Sequence, residues 1–268
     1  MTSTTSPFNG THRVSTSAEN DPRVCIQEGF RWDEQDVYLF DIDGTLLRCR
    51  DRIHVDSFLE SVRSVMGHDL SLEGVVLQGN TDPGILRDAF LLAKMQDTAW
   101  RPMMGQVLET MRTLVAARRG EMTLSVMPGV EETLAHLQRK GATLGVATGN
   151  LEAIGWLKIE VAGLRHWFSF GGFSDRYEIR AEMIAHAAAE ARRIAGAHAT
   201  VCVVGDTPSD ISAARANHLP VIAVATGHPT FDQLFEHRPE VCTTTLAALL
   251  EHSSDASPCE TAAAPSGI

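Results

Sequence analysis

Short apolar runs alternate with amphipathic stretches along most of the chain. The runs are rich in β-branched residues, each is followed by a turn signal, and they occupy residues 37–40, 143–147, 200–204 and 221–224. Between them apolar residues recur at helical spacing, as in Val130, Leu134 and Leu137, and again between Met183 and Ile194. This alternation predicts βαβ units and a parallel sheet that helices cover on both faces.

One segment breaks the alternation. Residues 50–126 contain several helical stripes but no convincing strand, and a block of this length is too long for a loop. The sequence therefore predicts a Rossmann-like, doubly wound α/β core at 35–49 and 127–251, with an inserted all-helical cap at 50–126. The polar ends, 1–34 and 252–268, lack apolar periodicity and are predicted to be a disordered leader and a disordered tail.

Composition and charge narrow the class of protein. The 268 residues include 23 Lys and Arg against 34 Asp and Glu, which gives a net charge of −11. An acidic chain argues against a nucleic-acid partner, and the lack of any apolar run of about 18 residues or more argues against a membrane span. The five cysteines are scattered without a CxxC pair, and the first residues lack a secretory signal pattern. We therefore expect a cytoplasmic protein.

Three of the apolar runs end on residues that can carry chemistry. Asp41 and Asp43 follow the first run in the segment DIDGTL. Thr148 follows the second in TGN, and Asp206 and Asp210 follow the third in GDTPSD. Because the carboxyl ends of parallel strands lie at one edge of a sheet, we expect these side chains to converge. Four carboxylates in one crevice require a cation, and oxygen ligands favour Mg²⁺. Each Asp alone could be a turn residue, but the ordered set indicates a site.

The combination of DIDGTL, VATGN and VVGDTPSDISAA resembles the haloacid dehalogenase-like hydrolase superfamily over roughly residues 36–250. The runs MPGVEETLAHLQRKGATLGVATGN and WLKIEVAGLRHWFSFGGF are similar to those of phosphoglycolate phosphatase-like phosphohydrolases. The helical insertion resembles the all-helical cap of the superfamily. This resemblance implies a Mg²⁺-dependent phosphatase that hydrolyses a small anionic phosphate monoester, such as 2-phosphoglycolate or a sugar phosphate.

The resemblance also implies roles for individual residues. Asp41 is the expected nucleophile, which forms an aspartyl-phosphate, and Asp43 is the expected general acid and base. Thr148 is expected to hydrogen-bond a phosphoryl oxygen. The expected phosphate-binding residues are Ile42, Gly149 and Asn150, and the expected metal ligands are Asp41, Asp43, Asp206 and Asp210.

The superfamily's third motif, usually a lysine that balances the charge of the nucleophile, is absent in its common form, because no lysine follows Lys158. Arg180 lies directly before a helical stripe and is our choice for this catalytic cation, with Arg176 second. Lys158, in the helix after TGN, is a third candidate. An arginine can balance charge in this position but cannot act as a base, because it does not deprotonate.

Substrate choice is expected to lie in the cap. Residues 79–83 interrupt two helical runs, and Asn80, Thr81 and Asp82 within them are candidate specificity or hinge residues. A structural alternative is that Asp82 caps a helix that starts at Pro83. Two other functions stay open from the sequence. One is a phosphomutase of the β-phosphoglucomutase type, which uses the same two aspartates, and the other is a non-enzymatic regulatory protein that retains the fold.

Overall fold

The order of strands and helices builds an open α/β sheet with a helical insertion. The structure is a computed structural model that describes residues 22–253. Its strands are β1 (Val24–Ile26), β2 (Val37–Phe40), β3 (Leu47–Cys49), β4 (Leu124–Val126), β5 (Thr143–Ala147), β6 (Phe170–Gly172), β7 (Val201–Gly205), β8 (Val221–Val224) and β9 (Val241–Thr243). Its helices are α1 (Ile53–Met66), α2 (Asp82–Leu92), α3 (Asp97–Trp100), α4 (Met104–Ala117), α5 (Val130–Arg139), α6 (Glu152–Val161), α7 (Arg180–Ala195), α8 (Pro208–Ala216), α9 (Phe231–Glu236) and α10 (Leu246–Leu250). None of these helices is long and apolar enough to cross a membrane.

Seven of the described strands form one sheet in the order β1-β9-β8-β7-β2-β5-β6. Neighbours are parallel except β1 and β9 at one edge, which are antiparallel. In the central strand, Tyr38 is in register with Leu144 of β5 and Cys202 of β7. From β2 the chain continues to β5 and β6 on one side of the sheet and to β7, β8 and β9 on the other. This reversal places a topological switch point at the carboxyl end of β2. The predicted Rossmann-like α/β core is confirmed.

The central strand explains why helices cover both faces of the sheet. Side chains alternate along a strand, so Tyr38 and Phe40 pack into one apolar cluster while Val37 and Leu39 pack into the other. Helices α5, α6 and α10 complete the first cluster, and α7, α8 and α9 complete the second. Both faces of β2 are therefore buried, as its continuous hydrophobic run predicts.

Helices α1 to α4 form the insertion and pack around an apolar cluster that also includes buried residues at the start of α6. Phe58 of α1, Leu86 of α2, Trp100 of α3 and Met111 of α4 are all buried in it. Phe90 stacks on Trp100 with their ring centroids 5.2 Å apart. The shared cluster therefore attaches the inserted helices to the start of α6 in the α/β core.

The insertion is not helical throughout, although the sequence predicts an all-helical cap over 50–126. Its last residues, Leu124–Val126, form β4, which pairs antiparallel with β3. The prediction is wrong at this point because three residues are too few to show a strand period, and their partner lies at the other end of the insertion. The two-stranded ribbon of β3 and β4 stands where the chain leaves the α/β core and re-enters it.

The structure also contradicts part of the predicted disordered leader, 1–34. Val24–Ile26 is an edge strand, and Trp32 is only 2% exposed. The indole N–H of Trp32 donates to a backbone carbonyl at the start of the predicted tail, at 3.0 Å. The prediction fails here because β1 is held by the distant strand β9, a contact that no local pattern reveals. The predicted leader up to residue 21 and the predicted tail from residue 254 lie outside the described residues.

Candidate active site

The residues singled out by the sequence meet at the carboxyl edge of the sheet. Asp41 follows β2, Thr148 follows β5 and Asp206 follows β7. All three line a cavity of about 530 Å³ between the α/β core and the inserted helices, as do Asp43 and Arg180. The convergence expected from parallel-strand topology is present in the structure.

Arg180 is the cation that contacts Asp41. It is the first residue of α7, and its guanidinium is buried. Its Nη2 lies 3.1 Å from Oδ1 of Asp41 and 2.6 Å from Oδ1 of Asp210. Of the other two candidates for this role, Arg176 is exposed, and Lys158 contacts Asp43 instead. The arrangement supports Arg180 as the charge partner of the expected nucleophile.

Asp210 lies behind the cavity and is fully buried. Its Oδ2 accepts hydrogen bonds from the backbone N–H and the hydroxyl of Thr207, at 3.0 and 2.7 Å. These bonds belong to a capping box at the start of α8. Because Oδ1 is already engaged with Arg180, Asp210 is placed to orient that guanidinium and the loop after β7.

Three carboxylates crowd one point of the site. One oxygen from each of Asp41, Asp206 and Asp210 lies within 4.8 Å of the other two. Burial raises the pKa of Asp41 to about 6; Arg180 opposes the rise and the neighbouring aspartates add to it. Burial and the charges of Asp41 and Asp210 also raise the pKa of Asp206 well above its usual range. Crowded carboxylate oxygens with too little positive charge are a donor set that fits Mg²⁺.

Two glycines make room for the carboxylate of Asp206. A Cβ at Gly227, just after β8, would overlap its Oδ2, and a Cβ at Gly44 would also overlap this carboxylate. Thr45 donates its hydroxyl hydrogen bond to Oδ1 of Asp206 at 3.1 Å. Sequence reasoning did not select Gly227. The available signal was a glycine directly after a fourth apolar strand, at the same sheet edge as the other site residues.

This crowding predicts that Asp41→Asn stabilises the metal-free protein. Because the pKa of Asp41 is raised from 3.8 to about 6, folding favours its protonated form. That contribution is present below about pH 4 and is lost as the pH rises through about 6. At about pH 7.5 the substitution should raise the free energy of unfolding by on the order of 1–3 kcal/mol, and at about pH 4 it should not. Urea unfolding in EDTA at both pH values measures the difference, and equal effects at both would contradict it.

Asp43 has a cation of its own. Its Oδ2 lies 2.6 Å from Nζ of Lys158, whose side chain is 2% exposed, and 2.9 Å from Nδ2 of Asn150. Burial alone would raise the pKa of Asp43, but the charge of Lys158 and these hydrogen bonds lower it below its usual value. Asp41 and Asp43 therefore each contact their own cation, Arg180 and Lys158, and their pKa values are shifted in opposite directions.

Of the residues expected to bind phosphate, Thr148, Gly149 and Asn150 line the cavity. Thr148 Oγ1 accepts a hydrogen bond from Nδ2 of Asn150 at 2.8 Å, so its own hydrogen is available to an oxygen in the cavity. Gly149 lies against the backbone of residue 80, where a Cβ would overlap a carbonyl oxygen. The side chain of Ile42 is buried in the core and is not part of the cavity lining, so the structure does not bring it to the other expected phosphate-binding residues.

The loop before α2 is attached directly to the sheet edge. The N–H of Asp82 donates to the carbonyl of Gly149 at 2.8 Å, and its Oδ2 accepts from the N–H of Leu151 at 2.8 Å. Thr81, not Asp82, caps α2, by accepting from the N–H of Gly84. The predicted cap at Asp82 is therefore wrong, because Pro83 occupies the second position of the helix and not the first.

Asn80 and Thr81 are engaged within this loop. Asn80 Nδ2 donates to Oδ2 of Asp88 and to the carbonyl of Val76, both at 3.1 Å, and its Oδ1 accepts from the N–H of Thr81. The loop therefore holds α2 against the TGN segment, which is a positional role. Whether these side chains also select a substrate stays a prediction.

A pocket at the switch point of an open α/β sheet, under an inserted helical unit, is an arrangement in which α/β enzymes bind small ligands at the strand ends. The family model for haloacid dehalogenase-like hydrolases matches residues 38–224. The chain belongs to this family of hydrolases, which confirms the resemblance found in the sequence.

Two curated proteins match most of the chain. It is 28% identical over 231 residues to a Dickeya dadantii protein named "Probable phosphatase IndB", which covers 80% of this chain and 91% of that protein. It is also 28% identical over 222 residues to the phosphoglycolate phosphatase of Agrobacterium fabrum, covering 79% of this chain and 89% of that enzyme.

Solved structures show the same fold. CbbY from Rhodobacter sphaeroides, in complex with phosphate, superposes with a TM-score of 0.54 at 20% identity, over 71% of this chain and 86% of that one. A second structure of that protein, a mutant form, holds xylulose-(1,5)bisphosphate. At this identity the likeness establishes the architecture.

Proposed function

We propose that the protein is a Mg²⁺-dependent phosphatase of small phosphate monoesters, with Asp41 as the nucleophile and Asp43 as the general acid and base. The observation that carries this proposal is the pairing of two neighbouring aspartates with two separate cations in one cavity, Asp41 with Arg180 and Asp43 with Lys158. The two similar curated proteins, one of them a phosphoglycolate phosphatase, support the choice of reaction.

The first step transfers the phosphoryl group to Asp41. A carboxylate oxygen of Asp41 attacks phosphorus, the bond from phosphorus to the leaving oxygen breaks, and Asp43 gives its proton to that oxygen. Asp43 carries a lowered pKa in the ligand-free site. A phosphate dianion beside it is a like charge, which raises the pKa again and favours the protonated form that the step needs.

The second step releases phosphate. Asp43, now ionised, takes a proton from water, whose oxygen attacks phosphorus while the bond to Asp41 breaks. The ion pair with Lys158 favours this ionised form of Asp43. Thr148 and Gly149 line the cavity, and the hydroxyl of Thr148 and the backbone N–H of Gly149 would hold the phosphoryl oxygens.

The metal would be held by Asp41, Asp206 and the carbonyl of Asp43, with Asp210 behind them. Bound there, Mg²⁺ supplies positive charge that lets an anionic nucleophile approach an anionic phosphate. Arg180 and Asp210 keep the Asp41 carboxylate in place through contacts of 3.1 and 2.6 Å to the same guanidinium nitrogen. Gly44 and Gly227 keep Asp206 at the sheet edge.

The substrate is a small anionic phosphorylated molecule. A cavity of about 530 Å³ that is roofed by helices admits a metabolite, and a folded phosphoprotein would not fit. The curated phosphoglycolate phosphatase and the neighbouring structure that holds xylulose-(1,5)bisphosphate point to phosphorylated acids or sugars as the first compounds to test.

A phosphate-release assay tests the proposal. The purified protein with Mg²⁺ is offered 2-phosphoglycolate, several sugar phosphates and p-nitrophenyl phosphate, with and without EDTA. We expect free phosphate from at least one monoester, and its loss with EDTA. A product that keeps its phosphate on another hydroxyl would show a mutase. No turnover of any compound would favour the non-enzymatic alternative and overturn the proposal.

A further inference from the structure

A ring of hydrogen bonds joins Asp43 to the inserted helices. Lys158 of α6 contacts Oδ2 of Asp43 at 2.6 Å and Nδ1 of His54 at 3.1 Å. On the other side of its ring, Nε2 of His54 lies 3.1 Å from Oδ2 of Asp82. Asp82 accepts from the N–H of Leu151. The preceding residue, Asn150, closes the ring through its 2.9 Å bond to Asp43.

Donor chemistry fixes the direction of these bonds. An ammonium group has donors only, so Lys158 must donate to both Asp43 and Nδ1 of His54. Nδ1 therefore carries no hydrogen, and Nε2 carries the hydrogen that is donated to Asp82. His54 therefore links the carboxylate of Asp82 to the ammonium of Lys158 through its two ring nitrogens. A displacement of Asp82 would displace the ammonium as well.

The ring crosses between the two parts of the molecule. His54 lies in the first turn of α1 and Asp82 is the first residue of α2, both in the insertion, whereas Lys158 and Asn150 belong to the α/β core. His54 also stacks on Phe58, with ring centroids 5.3 Å apart, which fixes the ring plane. If the insertion lifts from the core, Lys158 loses its second acceptor and the N–H of Leu151 loses its partner.

We propose that Lys158 is a positioning residue for Asp43, held in its working place by His54 and Asp82 of the closed cap. This inference rests on the proposed function, because it assigns Asp43 the proton transfers of that reaction. Arg180 contacts the proposed nucleophile, Asp41, at 3.1 Å. The charge of Lys158 is therefore not needed at Asp41 and acts on Asp43 instead. Asp43 thus reaches full efficiency only when the cap covers the substrate.

Rapid mixing with p-nitrophenyl phosphate and Mg²⁺ tests the role of Lys158. Nitrophenolate needs little protonation to leave, so Lys158→Met should still release about one equivalent per site in a burst. The following turnover, which needs Asp43 to deprotonate water, should be at least about 10-fold slower than in the wild type. Lys94→Met, which changes an exposed lysine, is the matched control and should behave as the wild type does.

The amplitude of the burst and the rate after it distinguish a positioning role of Lys158 from a role in folding. A merely structural role would lower the burst amplitude and leave the rate per remaining site unchanged, and this result would overturn the proposal. Lys158→Cys alkylated with 2-bromoethylamine restores an ammonium of similar reach and should recover the rate, with equally treated wild type as the control. Alkylation without recovery would also count against it.

The cap side of the ring is tested by His54→Phe, which keeps the stacking on Phe58 but removes both nitrogens. Alone, His54→Phe should slow the turnover that follows the burst, as Lys158→Met does. Added to Lys158→Met it should cost nothing further, because His54 acts through Lys158. If the losses of the two single variants multiplied in the double variant, the two residues would act independently and the coupling would be refuted. An inactive wild type would defeat the proposed function itself, whereas an active wild type with a fully active Lys158→Met defeats this inference alone.

Discussion

Asp41→Asn is expected to abolish phosphate release, by on the order of 10⁴-fold or more in kcat. The amide nitrogen and oxygen cannot replace a carboxylate as nucleophile, so no covalent intermediate forms. The charge partner remains in place, because Arg180 keeps its 2.6 Å contact with Asp210. The loss should therefore arise from chemistry and not from a collapsed site. Steady-state assays with the best substrate of the panel measure it.

The matched control is Asp69→Asn, the same change at an exposed aspartate of the cap that pairs with Arg63. It should leave kcat within about twofold, since exposed ion pairs contribute little. The folded state of Asp41→Asn is checked by its unfolding curve, which should lie at higher denaturant than that of the wild type in EDTA near neutral pH. Phosphate release at wild-type rate by Asp41→Asn would contradict the assignment of the nucleophile.

Gly227→Ala is expected to lower kcat/KM by on the order of 10²-fold or more, although residue 227 contributes no functional group. The added Cβ would occupy the position of Oδ2 of Asp206. Either this carboxylate or the strand end after β8 must move, and displacements of about 1 Å in an active site cost about this much. The Mg²⁺ concentration needed for half-maximal activity should rise in the same variant, because Asp206 is a proposed ligand.

Gly105→Ala is the control for this change. Gly105 lies in α4 of the cap with open space around its Cβ position, so alanine should be tolerated or slightly stabilising. Titration of activity with Mg²⁺ distinguishes the two variants. Unchanged Mg²⁺ dependence in Gly227→Ala, together with full activity, would show that Asp206 does not depend on this glycine and would weaken its place in the metal site.

The parts of the fold that the sequence predicted are those in which local pattern and tertiary role agree. The central strands are continuous apolar runs because both faces are buried, and α5 and α7 show clear helical stripes. Strands β1, β4 and β9 are three residues long, and their apolar period is too short to stand out. Their conformation comes from pairing with partners far away in the sequence, which a local pattern does not contain.

The same distinction holds in the site. Asp41, Thr148 and Asp206 were accessible to sequence reasoning because parallel topology brings strand ends together. The partner of Lys158 was not, because it depends on the rotation of α6 about its axis. One signal was present: Lys158 lies one turn after Ile154 and Gly155, on a buried face of α6 that is otherwise apolar. A lysine buried in this way needs a carboxylate, and Asp43 is the one that the fold supplies.

The central claim is that the phosphoryl group passes through Asp41. Borohydride reduction of the protein during turnover tests it most directly, since an aspartyl-phosphate is an activated carboxyl group and is reduced to homoserine. Peptide mass spectrometry should then find homoserine at position 41 in protein mixed with substrate and Mg²⁺, and only aspartate there without substrate. Rapid turnover with unmodified aspartate at position 41, or with reduction at another carboxylate, would contradict the account.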